Sequence, residues 1–409
     1  MELTVTIAGA GLGGLCLAQR LLRAGIDVRV YEADPEPFAR RQGYRITVDA
    51  DGLAALRDSL PAELYRLALA TGGEPGGYFR ITDARLRDAI KLTFPATPDG
   101  GRQMDRQLLR SILLIGLDER VQYGKRAVAV EPDGAELVLR FADGGSARST
   151  VVVGADGIGS ALRSRIAPGA DPADSGVSGI YGRTPLVRGG RDVIPDALRK
   201  SGVLAIGDEP GRAFFLTTMR FGQPPVAAFA SAAPGRFVPA GDDYVMWGLV
   251  LRRGEAPTGD PRAAAARLAT GFHPLVGRLV EGADDDATIL TSFAVGSRPA
   301  RWPLAGATLI GDAVHAMPPF GAHGGNTALR DAALLGAKLA AAHASGGPVA
   351  GAIAAYQDEM ARYAFDAVDR SARMMRRITA TGGFQKWLMT RVLPRLHRVT
   401  VADTVSETA

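Results

Sequence analysis

Three glycine-rich segments carry the residues that could do chemistry. The first is Gly9-Ala-Gly11-Leu12-Gly13-Gly14, set between a run of strand-type residues and a helical stretch. Glycines at this spacing permit a tight turn, close approach of backbone to a pyrophosphate and close packing of the helix on the strand. The N-terminus of the helix then faces the anion. Glu32 ends the next strand, 18 residues after Gly14. A carboxylate at that place can accept hydrogen bonds from both hydroxyls of a ribose, which disfavours a 2′-phosphate. Turn, helix, second strand and acid together point to a dinucleotide site, but the pattern alone does not separate FAD from NAD.

The second segment is Gly154-Ala-Asp156-Gly157-Ile-Gly-Ser160-Ala-Leu-Arg163, directly after the apolar run Val151–Gly154. An Asp at the C-terminal end of a parallel strand stands where ligands bind in open α/β sheets. Taken alone it could equally be a turn that caps the next helix. The third runs from Gly311-Asp312 through His315, Pro318-Pro319, Gly321-Ala-His323-Gly324-Gly325-Asn326. Asp312 follows the strand-type run Thr308–Ile310 and can take a ribityl or ribose hydroxyl. Amides of the Gly-rich helix start beyond it can stabilise negative charge.

The elements that must position these segments are legible in outline. Thr4–Gly9, Gly13–Ala24 and Val28–Glu32 read as strand, helix, strand: one βαβ unit. Residues 103–118 have helical spacing, and strands are expected near Arg126–Glu131 and Leu137–Phe141. Between about 175 and 300 helical periodicity is scarce. Short runs rich in β-branched and aromatic residues recur at Gly179–Val187, Ala213–Phe221, Val226–Ala232, Tyr244–Arg252 and Ala287–Val295, which predicts an inserted antiparallel sheet. Helices are expected over Asn326–Ala342 and Val349–Ile378, and an amphipathic stretch over Phe384–Leu396. The fold class expected is α/β: a Rossmann-like dinucleotide-binding domain, identified as FAD-binding only by the resemblance given below, with an inserted, mainly antiparallel β-sheet substrate domain and a C-terminal helix. The expected division is 1–72, 101–170 and 296–345 for the discontinuous cofactor domain, 73–100 and 171–295 for the substrate domain, and 346–409 as a helical segment bridging the two.

Composition bounds the function. The 409 residues are 46% hydrophobic and 22% charged, as in globular chains. A single Cys16 excludes an intramolecular disulfide and any multi-cysteine metal site, and it reads as a small buried hydrophobe. The net charge of +5 comes from evenly spread arginines, with only five lysines, and not from a basic patch laced with aromatics. No nucleic-acid partner is expected. No apolar run reaches the length of a membrane span, and no basic stretch precedes the strand-type run at Leu3–Ala8, so the cytoplasm is the expected compartment. Monomer or homodimer is left open.

The three segments, in this order, resemble the FAD-dependent aromatic hydroxylases, the single-component class A flavoprotein monooxygenases. The third segment is most similar to the tetracycline-inactivating and polyketide-tailoring members, which places the chain in secondary metabolism. The resemblance implies that Gly9, Gly11, Leu12, Gly13, Gly14 and Glu32 hold the ADP half of FAD. It implies that Asp156, Gly157 and Arg163 serve FAD and nicotinamide nucleotide, and that Gly311 and Asp312 take the ribityl chain. Gly321 and Gly324 are placed beneath the flavin, and Gly325 and Asn326 are counted with them as cofactor-binding. Arg106 is matched to an arginine that reaches the FAD phosphates, and Arg45 is a second candidate. His323 departs from the usual Gln of the last turn, and Arg330-Asp331 stands where Glu-Asp is frequent.

By the same resemblance, NADPH or NADH reduces a non-covalent FAD. Reduced flavin and O2 give a C4a-hydroperoxide, which hydroxylates or epoxidises an apolar aromatic or polycyclic natural-product substrate. The chemistry is the cofactor's, so no catalytic side chain and no metal is assigned. His323 is the candidate for a role near the ring, and His315 is read as a structural hydrogen-bonding partner. Alternation along the inserted strands proposes Phe215, Thr217, Phe229 and Trp247 as substrate contacts, with Pro318 from the flavin side. Core packing is the alternative for each. A halogenase or reductase of the same fold, or a flavoprotein that protects a reactive intermediate, are the alternative functions. The Trp-x-Trp-x-Ile-Pro signature of halogenases is absent.

Overall fold

The computed structural model describes residues 2–379 apart from 41–42, 74–76, 95–100, 189–190, 240, 253, 256 and 285–286. The amphipathic stretch Phe384–Leu396 lies outside the described residues.

The chain opens with the strand Thr4–Ala8, the helix Leu12–Arg23 and the strand Asp27–Tyr31. These strands pair in parallel and belong to a five-stranded parallel sheet, ordered Ala307–Leu309, Val151–Gly154, Thr4–Ala8, Asp27–Tyr31, Val121–Gln122. Val151, Val152 and Val153 are fully buried, because helices cover one face of this sheet and a small antiparallel sheet lies against the other. The long helix His323–Ser345 packs on the first helix. It buries Leu329, Ala332, Leu335 and Leu339 at the three- and four-residue spacing of one helix face.

The second unit is a seven-stranded sheet. Its order is Ile289–Val295, Ala173–Pro185, Tyr244–Arg252, Ala213–Met219, Ser201–Ile206, Gly77–Asp83, Asp88–Phe94. Every pairing is antiparallel except that of Ser201–Ile206 with Gly77–Asp83. One face packs on the helices Pro261–Ala269 and Pro274–Glu281, and the other faces the parallel sheet across a cavity. The helix Val349–Thr379 joins the two sheets. Tyr356 donates to the Leu309 carbonyl at 3.0 Å near one end, and Arg252 donates to the Thr379 carbonyl at 2.5 Å at the other. Among the described residues no helix is long and apolar enough to cross a membrane.

Two sequence expectations fail locally. Val226–Ala232 is not a strand: Pro225–Ala232 is a helix, which Pro225 starts and an alanine-rich run sustains. Residues 103–105 belong to the strand Arg102–Asp105, and the helix begins only at Arg106. The helices Pro261–Ala269 and Pro274–Glu281 fall between the expected strands Tyr244–Arg252 and Ala287–Val295.

Candidate active site

Three parallel strands end side by side, which gathers the three glycine-rich segments. The Gly9 amide donates to the Tyr31 carbonyl at 2.7 Å, Ala155 to Ala8 at 2.7 Å and Ile310 to Gly154 at 2.9 Å. The glycines of the first turn differ in what they face. A Cβ at Gly9, whose φ is +113°, would stand 2.3 Å from the Ala155 carbonyl, and one at Gly14 would stand 2.1 Å from the Gly9 carbonyl. At Gly11 it would meet nothing among the described residues within 4 Å. Gly9 and Gly14 thus let the turn close on itself and on the second segment, while Gly11 opens onto the cavity.

That cavity measures about 2230 Å³, well above the ~300–1,000 Å³ of a usual small-ligand site. Gly9, Gly11, Leu12, Gly13, Gly14 and Glu32 line one end. Asp156, Gly157, Gly311 and Asp312 line the middle. Gly321, Gly324 and Gly325 bring the N-terminus of the helix His323–Ser345 to the wall, and Phe215 and Thr217 belong to the far, apolar side. Ala322 precedes that helix at φ +57°, a left-handed conformation that only a tightly held non-glycine adopts.

The charged groups have defined environments. Glu32 is buried, and its two oxygens accept the amides of Ala10 at 2.7 Å and Asp34 at 2.9 Å. It fixes the turn as well as facing the cavity. Asp156 accepts the Ala161 amide at 3.1 Å through Oδ2, while its buried Oδ1 has no partner among the described residues. Burial raises its pKa, against the pull of its hydrogen bond with Ser160. Asp312 is exposed to the cavity. Arg45 and Arg106 line the wall, and each has a buried Nε without a partner among the described residues. Burial pulls the Arg45 pKa down to about 10 and lowers that of Arg106, which Asp312 partly offsets.

Arg106 opens its helix because Asp105 caps it, accepting the Leu108 amide at 2.8 Å. The other Asp105 oxygen accepts the Tyr244 hydroxyl at 2.7 Å, which ties this helix to the seven-stranded sheet.

Six residues proposed from sequence do not reach the cavity wall. Arg163 spends its guanidinium on carbonyls, donating to Ala313 at 2.7 Å and Ile158 at 2.6 Å, and so joins the second segment to the third. Asn326 accepts the Asp49 amide at 3.0 Å and donates to Thr47 and Ala322, both at 2.9 Å. It braces the helix start through its side chain. Phe229, on a helix instead of a strand, is buried in the core beside the helix Ala62–Thr71. Trp247 faces the opposite side of its sheet, where Nε1 donates to Thr184 at 3.1 Å and the ring stacks on Phe214. Pro318 is buried, while its neighbours Met317 and Pro319 line the cavity. The half-buried His323 packs toward Gly321. Burial and then Arg370 lower its pKa, so it is neutral at pH 7.

His315 is fully buried with Nε2 at 2.6 Å from Asp331, a structural partnership. Cys16 is buried, and burial pushes its thiol up to about 11.

Sequence reading missed other residues of the site. Arg110 donates Nε to the Ala10 carbonyl at 2.7 Å and so braces the first turn. Tyr181, Met246, Phe293 and Ile378 line the apolar side. The alternation Ile289, Thr291, Phe293 was a signal that could have found one row of them.

These residues fit an FAD. The unpartnered arginine nitrogens suit its phosphates, Gly11 leaves room for a pyrophosphate, and Glu32 and Asp312 stand as acceptors for sugar hydroxyls. Helix amides end where the wall turns apolar.

Comparison with known proteins agrees. Residues 236–371 match an FAD binding domain model, and residues 7–59 match an NAD(P)-binding Rossmann-like domain model. A dual O-methyltransferase/FAD-dependent monooxygenase of Phaeosphaeria nodorum is 32% identical over 90% of this chain, which spans only 45% of that relative. A 3-amino-4-hydroxybenzoate 2-monooxygenase of Streptomyces platensis is 32% identical over 84% of this chain and 81% of its own length. Among solved structures, one described as an FAD containing monooxygenase of Photorhabdus luminescens superposes with a TM-score of 0.77 at 28% identity, over 92% of this chain and 99% of that one. Site geometry and relatives together show that the chain belongs to the FAD-dependent aromatic hydroxylase family of monooxygenases.

Proposed function

We propose that the chain uses NAD(P)H and O2 to hydroxylate or epoxidise an apolar aromatic or polycyclic natural-product substrate. For hydroxylation the balance is substrate C–H, O2, NAD(P)H and H⁺ in, and C–OH, NAD(P)⁺ and water out. The supporting observation is the single cavity that runs from Gly11 and Glu32 past Asp312 to the apolar face of the seven-stranded sheet. It is large enough for an extended dinucleotide and a second molecule in contact with it. Bound FAD supplies the acceptance of two electrons and the reaction with O2.

The chain's own residues bind, orient and exclude water. Arg45 and Arg106 offer phosphates two cations whose burial strengthens the attraction. Asp312 and Glu32 hold sugar hydroxyls. The amides at the start of the helix His323–Ser345 favour negative charge on the ring system. Phe215, Met246, Val250 and Phe293 keep water from the reacting end. In this reading residues 1–72, 101–170 and 296–345 serve the cofactor, and 73–100 and 171–295 serve the substrate. The curated relatives of Streptomyces platensis, named for an aromatic acid, support an aromatic substrate.

The test is NAD(P)H oxidation by the FAD-loaded protein, followed with and without a panel of phenols and fused-ring aromatics. Stimulation by at least one of them, with a hydroxylated or epoxidised product, is expected. NAD(P)H oxidation that no aromatic alters, or none at all, contradicts the reading.

A further inference from the structure

Two glycines in the middle of the seven-stranded sheet have no backbone reason to be glycine. Neither Gly179 nor Gly248 has a positive φ, and glycine inside a strand weakens it. What they share is a ring. A Cβ at Gly248 would stand 2.7 Å from both Cδ1 and Cε1 of Tyr181. A Cβ at Gly179 would stand 2.8 Å from Tyr181 Cε2 and 2.7 Å from the Phe293 ring. Gly248 is the direct cross-strand partner of Tyr181, and Gly179 lies two residues before it, so all three share one sheet face. That face lines the cavity. With both Cβ atoms missing, the Tyr181 ring lies down on the sheet instead of standing off it. Phe293 packs against it at 6.2 Å between centroids, and Phe320 meets Phe293 edge-on at 5.9 Å. The Tyr181 hydroxyl has no hydrogen-bond partner among the described residues.

We propose that Tyr181, laid flat by Gly179 and Gly248, is a stacking platform that selects planar fused-ring aromatics over saturated molecules of the same outline. A ring face with aromatic walls rewards an offset-stacked aromatic beyond what apolar contact area alone supplies. The proposal rests on the functional reading only in taking this sheet face as the substrate end. Tyr181 acts here on affinity and selectivity, not as a catalytic residue.

The experiment is calorimetric titration of the FAD-loaded protein with 2-naphthol and with its saturated counterpart, decahydro-2-naphthol, and flavin absorbance is read in parallel. Wild type should bind 2-naphthol roughly tenfold more tightly than the saturated alcohol, and Tyr181→Leu should bring the ratio near one. Gly248→Ala pushes the ring up into the cavity and should weaken 2-naphthol roughly threefold to tenfold. In the Tyr181→Leu background, where no ring is left to displace, the same change should cost less than twofold. FAD content should be unchanged throughout. A ratio kept by Tyr181→Leu, an equal effect of Gly248→Ala in both backgrounds, or a wild type that binds neither alcohol or both alike overturns the platform. A wild type that holds no flavin contradicts the functional reading instead, because calorimetry still reads naphthol directly.

Discussion

Nε2 of His315 lies 2.6 Å from Oδ2 of Asp331, and the same oxygen accepts the Gly311 amide at 2.8 Å. The other Asp331 oxygen accepts the Tyr363 hydroxyl at 2.6 Å, and Arg330 stacks on the Tyr363 ring. One buried carboxylate thereby fixes Gly311 at its positive φ, and with it the place of Asp312 at the cavity. Burial is the largest influence and opposes charge on His315, but the charge and hydrogen bond of Asp331, together with the charge of Asp312, outweigh it and the pKa is raised above the ordinary 6.5. A folded state that holds this proton more tightly gains stability that is complete below about pH 6.5 and is lost as pH rises through the raised value. Urea midpoints from pH 5.5 to 9 should show wild type losing its advantage over His315→Gln as pH rises. A constant difference across that range contradicts the assignment.

Gly9 and Gly11 should separate folding from binding. Gly9→Ala drives a methyl into the Ala155 carbonyl at a φ that alanine resists, so it should destabilise the chain by about 2 kcal/mol or more and abolish FAD retention. Gly11→Ala meets only open space within the fold, so the melting temperature of the FAD-free protein should barely move while FAD affinity falls. Unimpaired FAD binding by Gly11→Ala would show that this turn does not hold the pyrophosphate.

Glu32 and Asp312 form a second contrast. Glu32→Ala strips the acceptors from two backbone amides and should cost roughly 1–3 kcal/mol of stability in addition to flavin. Asp312→Ala removes an exposed side chain and should change stability by no more than about 0.5 kcal/mol. Both variants should purify without flavin absorbance, and stoichiometric yellow colour in either would sink its role.

Trp247→Phe removes the bond to Thr184 and shrinks a fully buried ring, for a loss of about 1–3 kcal/mol. Because the ring faces away from the cavity, 2-naphthol affinity should stay within twofold of wild type. A larger shift would place the ring at the substrate after all.

The parallel core and its glycine turns were legible because each demands residues that nothing else explains. Gly9 has a φ that excludes side chains, and the buried strand at Val151 has no polar face. The substrate wall was harder to read, for physical reasons. On the strand Tyr244–Arg252, a slip of one residue exchanges the two faces. Trp247, the most conspicuous residue, sits on the inner side, while Met246, Gly248 and Val250 face the cavity. Phe229 shared its composition with strands, but Pro225 and the alanines around it govern the local backbone. Arg163 and Asn326 stand in the expected motifs, yet their side chains are taken by backbone groups 150 and 279 positions away in sequence. Only the folded chain reveals such partners.

The most direct measurement is the source of the oxygen in the product. FAD-loaded protein, NAD(P)H and an aromatic that stimulates its oxidation would be incubated under ¹⁸O2 in ordinary water. Mass spectrometry should find a product carrying one heavy oxygen. Product oxygen that comes from water, or NAD(P)H consumption recovered entirely as hydrogen peroxide with every aromatic offered, would contradict oxygenation by this chain.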